Sequence, residues 1–233
     1  QRRRHHRNIR TAPNRARLVL SVMADINFYF DSICPWAWIT SRWVTEVQQL
    51  RNYEVSWKFI SLKMINENTD YSKMSPGHLE GHIFGLEVLR IASAARTNEG
   101  NPGVASVYTA FGTALHANHR REEAMRDSQA FYLKVLTEAG LPSKWAESST
   151  DAAHDEVIRF ESQAALECTG KDVGTPIITF NPQTDREASL FGPVISKIPR
   201  GDEAIRLWDA VQIIAESGVS EIKRTLRARP QYD

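Results

Sequence analysis

The stretch Ile26-Asn27-Phe28-Tyr29-Phe30-Asp31-Ser32-Ile33-Cys34-Pro35-Trp36-Ala37-Trp38 decides the fold. Its first six residues, rich in aromatic and β-branched side chains, have the character of a short buried strand. Asp31 to Pro35 breaks the run. From Pro35 onward the apolar positions fall at helical spacing, through Trp38, Trp43, Val44 and Val47 to Leu50, and a proline suits the first helical turn. Residues 53–60 then alternate and predict a second strand, so the chain opens β-α-β, the unit that builds a parallel sheet.

Further along, residues 64–170 carry no strand pattern. Helical stretches are expected at about 76–96, 104–117, 121–140, 143–147 and 151–168, with punctuation at 98–103 and at Gly140-Leu141-Pro142. Strand character returns at Pro176-Ile177-Ile178-Thr179-Phe180, followed by a turn at 181–185 and a hairpin partner at 188–191. Gly201-Asp202-Glu203 opens a last amphipathic helix through Trp208 and Ile214. The expected fold class is α/β, in the order β-α-β, helical block, β-β-α. The expected divisions are a basic extension (1–24), an N-terminal half (25–63), a helical insertion (64–170), and a C-terminal half ending in a helix (171–233).

The net charge of +1 conceals an uneven distribution. Residues 1–22 hold seven arginines and no acid, which leaves 22 Lys+Arg against all 28 Asp+Glu, a formal −6, for the rest. A body of that sign has no long-range attraction for phosphate backbones, so nucleic acid is not an expected partner. The basic start admits several readings: a transit peptide, a nucleic-acid arm, a signal n-region, or a disordered extension before a natural start at Met23, the simplest of them. No apolar run is long enough to span a bilayer, and no membrane partner is expected.

Two cysteines, Cys34 and Cys168, are too few for a disulfide framework or a structural zinc site. Their surroundings separate them. Cys34 stands where a strand turns into a helix, among unpaired backbone N–H groups that stabilise a thiolate. An acidic, nucleophilic thiol is therefore expected there. Pro35 fixes the first turn, Trp36 is placed to wall a substrate groove, and Trp38 and Trp43 are expected in the core. Gly174-Thr175-Pro176, ahead of a strand, offers a candidate cis bond and would set the Thr175 backbone beside Cys34, able to pair with an extended thiol substrate. His78 and His82, four residues apart, lack a third ligand, so no metal is expected, and the histidines of the helical block are read as solvated or lining a cleft. Phe191-Gly192-Pro193 reads first as a turn and packing feature. Glu161 to Glu167 reads as a solvated helix face, and Cys168 as a half-buried helix residue outside the chemistry.

Cys34-Pro35-Trp36-Ala37-Trp38-Ile39-Thr40-Ser41-Arg42-Trp43, Ser61-Leu62 with Asn66-Glu67-Asn68, Asp172 to Pro176, and Phe191 to Gly201 together resemble the DsbA-like branch of the thioredoxin superfamily. More narrowly they resemble the actinobacterial mycothiol-dependent nitroreductase and reductase group, over about residue 25 to the end of the chain. The resemblance implies a thioredoxin fold with a large helical insertion and a cytoplasmic reductase. It implies mycothiol, a low-molecular-weight thiol, as co-substrate rather than a tightly bound cofactor. It also implies Cys34 as nucleophile, Pro176 as the cis-proline, and Trp36 and Asn66 at the border of the substrate cleft.

One position departs from the pattern. Where redox members commonly have Cys-Pro-Trp-Cys, Ala37 stands in place of the second cysteine, so intramolecular resolution of a mixed disulfide is closed. A monothiol route remains, in which a second small thiol resolves the thiolated enzyme, with mixed disulfides or nitroaromatic compounds as substrates. Two alternatives stay open: an enzyme like glutathione transferase kappa or chromene-carboxylate isomerase, using a thiol without net redox change, and a non-catalytic binding module. Monomer and homodimer are both compatible with the sequence.

Overall fold

A computed structural model describes residues 24–233. The readings made of the basic extension lie outside the described residues, apart from its last position.

Four strands form one sheet in the order β2-β1-β3-β4: β1 (Ile26–Phe30), β2 (Val55–Phe59), β3 (Ile177–Phe180) and β4 (Ala188–Phe191). β1 pairs parallel with β2, Phe28 opposite Trp57, and antiparallel with β3, Phe28 opposite Ile178. β3 and β4 form the expected hairpin. Alternation along β1 sends Phe28 and Phe30 into a large core on one face, and Tyr29 into a smaller cluster with Ile60, Ala165 and Ile177. α1 (Pro35–Arg51) connects β1 to β2, and α8 (Gly201–Glu216) follows the hairpin. These two helices meet at Trp43 and Trp208, ring centroids 5.2 Å apart, where the Trp43 indole N–H donates to the Ala204 carbonyl at 2.9 Å. Trp38 and Trp43 are core residues, 3% and 0% exposed. This is the β-α-β…β-β-α order of a thioredoxin fold, with the helices of an insertion between β2 and β3.

The insertion consists of α2 (Leu62–Ile65), α3 (His78–Glu99), α4 (Asn101–Gly112), α5 (Arg121–Arg126), α6 (Ser128–Glu138) and α7 (Asp155–Thr169). Its details differ from the periodicity in four places, the first being that the stretch expected at 143–147 is a 3-10 run over Ser143–Thr150. The punctuation expected across 98–103 shrinks to Gly100, whose φ of 69° lets α3 turn directly into α4. The helix expected across 121–140 breaks at Asp127, whose carboxylate caps α6 by accepting from the Ala130 N–H at 3.0 Å. Finally, α4 runs on as a π-helical turn, Thr113–Ala117.

The insertion is tied to the sheet along the edge strand β2. Asn101, the first residue of α4, accepts from the Trp57 N–H at 2.8 Å and donates to the Val55 carbonyl at 2.6 Å, as a neighbouring strand would. Glu161 of α7 accepts from the Phe59 N–H at 2.8 Å and from Arg96 at 2.8 and 3.2 Å, with Lys58 at 3.4 Å. Glu161 is only 7% exposed, which corrects its reading as part of a solvated face. Its charge is offset by Arg96 and Lys58 rather than by water. Behind this edge the core is continuous: the Phe30 and Tyr108 rings stack at 3.8 Å, and Trp57 lies edge-on to both.

Candidate functional site

Cys34 caps α1. Its extended backbone ends β1's turn, its carbonyl accepts the Trp38 N–H at 3.1 Å, and its Sγ accepts the Ala37 N–H at 3.5 Å. Pro35 occupies the first turn, where its missing donor costs nothing. The Thr175-Pro176 bond is cis. The Cys34 thiol donates to the Thr175 carbonyl at 3.5 Å, while the Thr175 hydroxyl donates to the Tyr29 carbonyl at 3.1 Å and fixes the loop on β1. The structure thus brings Cys34, Pro35, Thr175 and Pro176 together. Trp36 is half-buried beside them.

Asn66 is placed differently. It closes the short α2, its side-chain amide donating to the Leu62 carbonyl at 2.9 Å and its oxygen accepting from Thr69 at 3.4 Å, so both of its side-chain bonds are local.

The electrostatics of the thiol correct a simple reading from helix position. Cys34 is 8% exposed. That burial pushes the thiol up to about 11, against the N–H groups of Ala37 and Trp36, which favour the thiolate. Asp31 adds to the rise and Arg227 opposes it. In this closed arrangement the thiol is protonated near neutral pH. The acidic cysteine expected from sequence requires the sulfur to be hydrated while it keeps its helix-terminal donors.

Asp31 is the second buried ionisable group here. Its carboxylate accepts from the Ile33 N–H at 3.1 Å and from the Leu62 N–H at 2.8 Å, joining the turn before Cys34 to the start of α2. Burial raises it to about 7 despite those two bonds. His116, in the π-helical turn, donates through Nε2 to the Ser32 carbonyl at 2.9 Å and stacks on Trp38. Burial lowers it to about 4, so it is a neutral core histidine and not a solvated one. His82 is half-buried and shares a 2.9 Å hydrogen bond with Tyr71 through Nδ1, whereas His78 is exposed. Among the described residues, no three His, Cys, Asp or Glu side chains are grouped to hold a metal.

Phe191-Gly192-Pro193 contains a second cis bond, Gly192-Pro193, and the Pro193 carbonyl accepts from the Thr40 hydroxyl at 2.8 Å. Glu46 holds the following turn through Arg200 and the Gly201 N–H, both at 3.0 Å. This motif packs the post-hairpin loop onto α1. Cys168 is free and lies on α7, exposed rather than half-buried as its sequence context suggests. No helix is long and apolar enough to cross a membrane among the described residues. Sequence reasoning missed Arg227 and Tyr232, whose charges act on the thiol. For these two no signal existed, because residues 219–233 have no regular structure whose period could be read.

A family model described as the Rv2466c-like group, "Mycothiol-dependent nitroreductase Rv2466c", matches residues 33–224. The uncharacterized protein Rv2286c of Mycobacterium tuberculosis is 27% identical over 191 residues, 81% of this chain and 76% of its own length. Two solved structures share the fold. The probable DsbA oxidoreductase SCO1869 from Streptomyces coelicolor superposes with a TM-score of 0.52 at 13% identity, over 87% of this chain and 94% of that one. A 2-hydroxychromene-2-carboxylate isomerase superposes with a TM-score of 0.51 at 13% identity, over 81% and 93%.

Proposed function

The chain belongs to the family of the mycothiol-dependent nitroreductase Rv2466c, and from that premise we propose that it is a monothiol oxidoreductase in which Cys34 is the nucleophile and mycothiol the electron donor. The observation that carries the reading is the 3.5 Å approach of the Cys34 thiol to the Thr175 carbonyl ahead of the cis bond. A strand-like substrate would pair with the Thr175 backbone while presenting its sulfur to Cys34. Trp36 walls the groove, and Asn66 borders it by family likeness.

The reaction needs two exchanges. The Cys34 thiolate attacks one sulfur of a mixed disulfide R–S–S–R′, forming Cys34–S–S–R and releasing R′S⁻, which takes up a proton. A molecule of mycothiol, as its thiolate, then attacks the sulfur of R, regenerates the Cys34 thiolate and leaves as the R–mycothiol disulfide. Ala37 makes the second step intermolecular. A nitro group would be reduced to nitroso at the expense of two thiols, giving one disulfide and one water.

Turnover of a mixed disulfide with mycothiol, and separately with glutathione, tests the reading in the native chain, Cys34→Ser and Cys168→Ser. Activity should require a thiol, survive in Cys168→Ser, and fall at least about a thousandfold in Cys34→Ser, the scale of losing a catalytic nucleophile. Undiminished turnover in Cys34→Ser would overturn it. Ala37 favours one second reading, a thiol-assisted isomerase. Thiol-dependent conversion with no net reduction of the substrate would move that reading to the front.

A further inference from the structure

We propose that residues 219–233 form a lid over the Cys34 site, latched at Tyr232. This deepens the reading of Cys34 as the working thiol and rests on it. The segment leaves α8 after Glu216, takes up no regular structure, and touches both sides of the site. On the thioredoxin side, the Gln231 N–H donates to the Ser196 carbonyl at 2.7 Å, and the Arg227 guanidinium lies 5.6 Å from the Trp36 ring. On the insertion side, the Tyr232 ring packs against His116 at 5.8 Å and His119 at 5.7 Å. Arg227 and Tyr232 both lie beyond the family match, which ends at residue 224.

Two features make this a lid and not a fixed wall. A sulfur in a residue 8% exposed cannot meet a sugar-bearing thiol, so some part of its surround must move. The other neighbours are α1 and two loops pinned by hydrogen bonds, the Thr175 loop to the Tyr29 carbonyl and the Asp31 turn to the Ile33 and Leu62 N–H groups. Among the described residues, the segment has one hydrogen bond to the body, at Gln231, and it leaves Ile222 and Leu226 exposed. The least-bonded element opens first. Opening also changes the chemistry. Asp31 from the turn after β1, Tyr108 from α4, and Arg227 and Tyr232 from the lid act on the thiol electrostatically, and His116 holds the Ser32 carbonyl two residues before it. Lifting the lid lets water reach the sulfur, which removes the burial that keeps the thiol protonated, while the N–H donors of α1 stay in place.

The test is alkylation of the native protein by iodoacetamide at neutral pH, with Cys34 and Cys168 followed separately by peptide mass spectrometry. Exposed Cys168 serves as the internal clock. Tyr232→Ala should speed Cys34 labelling relative to Cys168 by about 5- to 30-fold, the range expected for loss of a half-buried aromatic contact. Tyr232→Phe, which keeps the ring, should stay near the native ratio. Measurable but equal ratios in all three proteins, or acceleration by Phe equal to that by Ala, would overturn the lid and leave the function reading intact. Silence of Cys34 in all three would overturn both.

Discussion

Asp31 is the residue at which local bonding and burial conflict most plainly. Two backbone N–H groups stabilise its carboxylate, yet complete burial outweighs them and raises it from 3.8 to about 7. The native state therefore holds a proton that the unfolded chain has already released between those values. Bound protons are more numerous in the folded state, so stability falls as pH rises from about 4 to about 7. Urea midpoints measured across that range should show the decline in the native chain and a flatter profile in Asp31→Asn. Parallel profiles would show that Asp31 titrates as it does in water. A methyl at Gly85 would strike the Asp31 carboxylate, so the glycine keeps the room that this buried acid needs. The same contest acts on Cys34, where position at the helix start was legible in sequence but the enclosing burial was not. Cys34-Pro35 fixes what precedes and follows the sulfur along the chain. The groups that act on it from the far end of the chain, Arg227 and Tyr232, stand 193 and 198 positions away, and no local pattern announces them.

At the scale of elements, periodicity recovered what depends on a repeating apolar face: β1 to β4, α1, α3 and α8 all stand where the pattern puts them. It failed where one side chain does the work of an element. Asn101 looks like turn punctuation, yet its amide pairs with both the N–H of Trp57 and the carbonyl of Val55 and so finishes an open sheet edge. Glu161 sits among polar helix residues, yet it accepts the next unpaired amide of that edge, Phe59. Nothing in the composition of α7 distinguishes Glu161 from exposed Glu167, because the difference lies in which strand the helix meets. Glu161→Gln would leave the partly exposed Arg96 and Lys58 without their counter-charge and weaken the acceptor of the Phe59 N–H. The expected loss is about 1–2 kcal/mol, below that of a fully buried pair because both cations reach water, read as a lowered urea midpoint with unchanged slope. Glu167→Gln, the exposed control, should change stability by less than about 0.5 kcal/mol.

In the whole molecule the candidate site lies where the sheet and the helices between β2 and β3 meet, and the strength of that seam decides how such a site would behave. One apolar cluster runs through it, joining Phe28, Phe30 and Trp57 of the sheet to Phe84, Phe111 and Tyr132 of the insertion. Trp38 of α1 packs edge-on to Tyr108 of α4 at 5.8 Å. Gly112 leaves the space that the Trp38 ring occupies. The Arg42 guanidinium lies 4.2 Å from the same ring and donates to Thr109 across the seam at 3.2 Å. A sheet that loses the insertion would expose both this cluster and the amides of β2, so neither part has an inexpensive way to unfold alone. The chain should therefore unfold in one transition, with far-UV circular dichroism and tryptophan fluorescence coincident in urea. Weakening the edge bonds in Asn101→Ala combined with Glu161→Gln should separate the two probes, because the insertion would then detach before the sheet melts. Separated transitions already present in the native chain would mean that the seam is held more loosely than its core implies. In that case access to Cys34 would be controlled by movement of the insertion as a body rather than by the short segment latched at Tyr232.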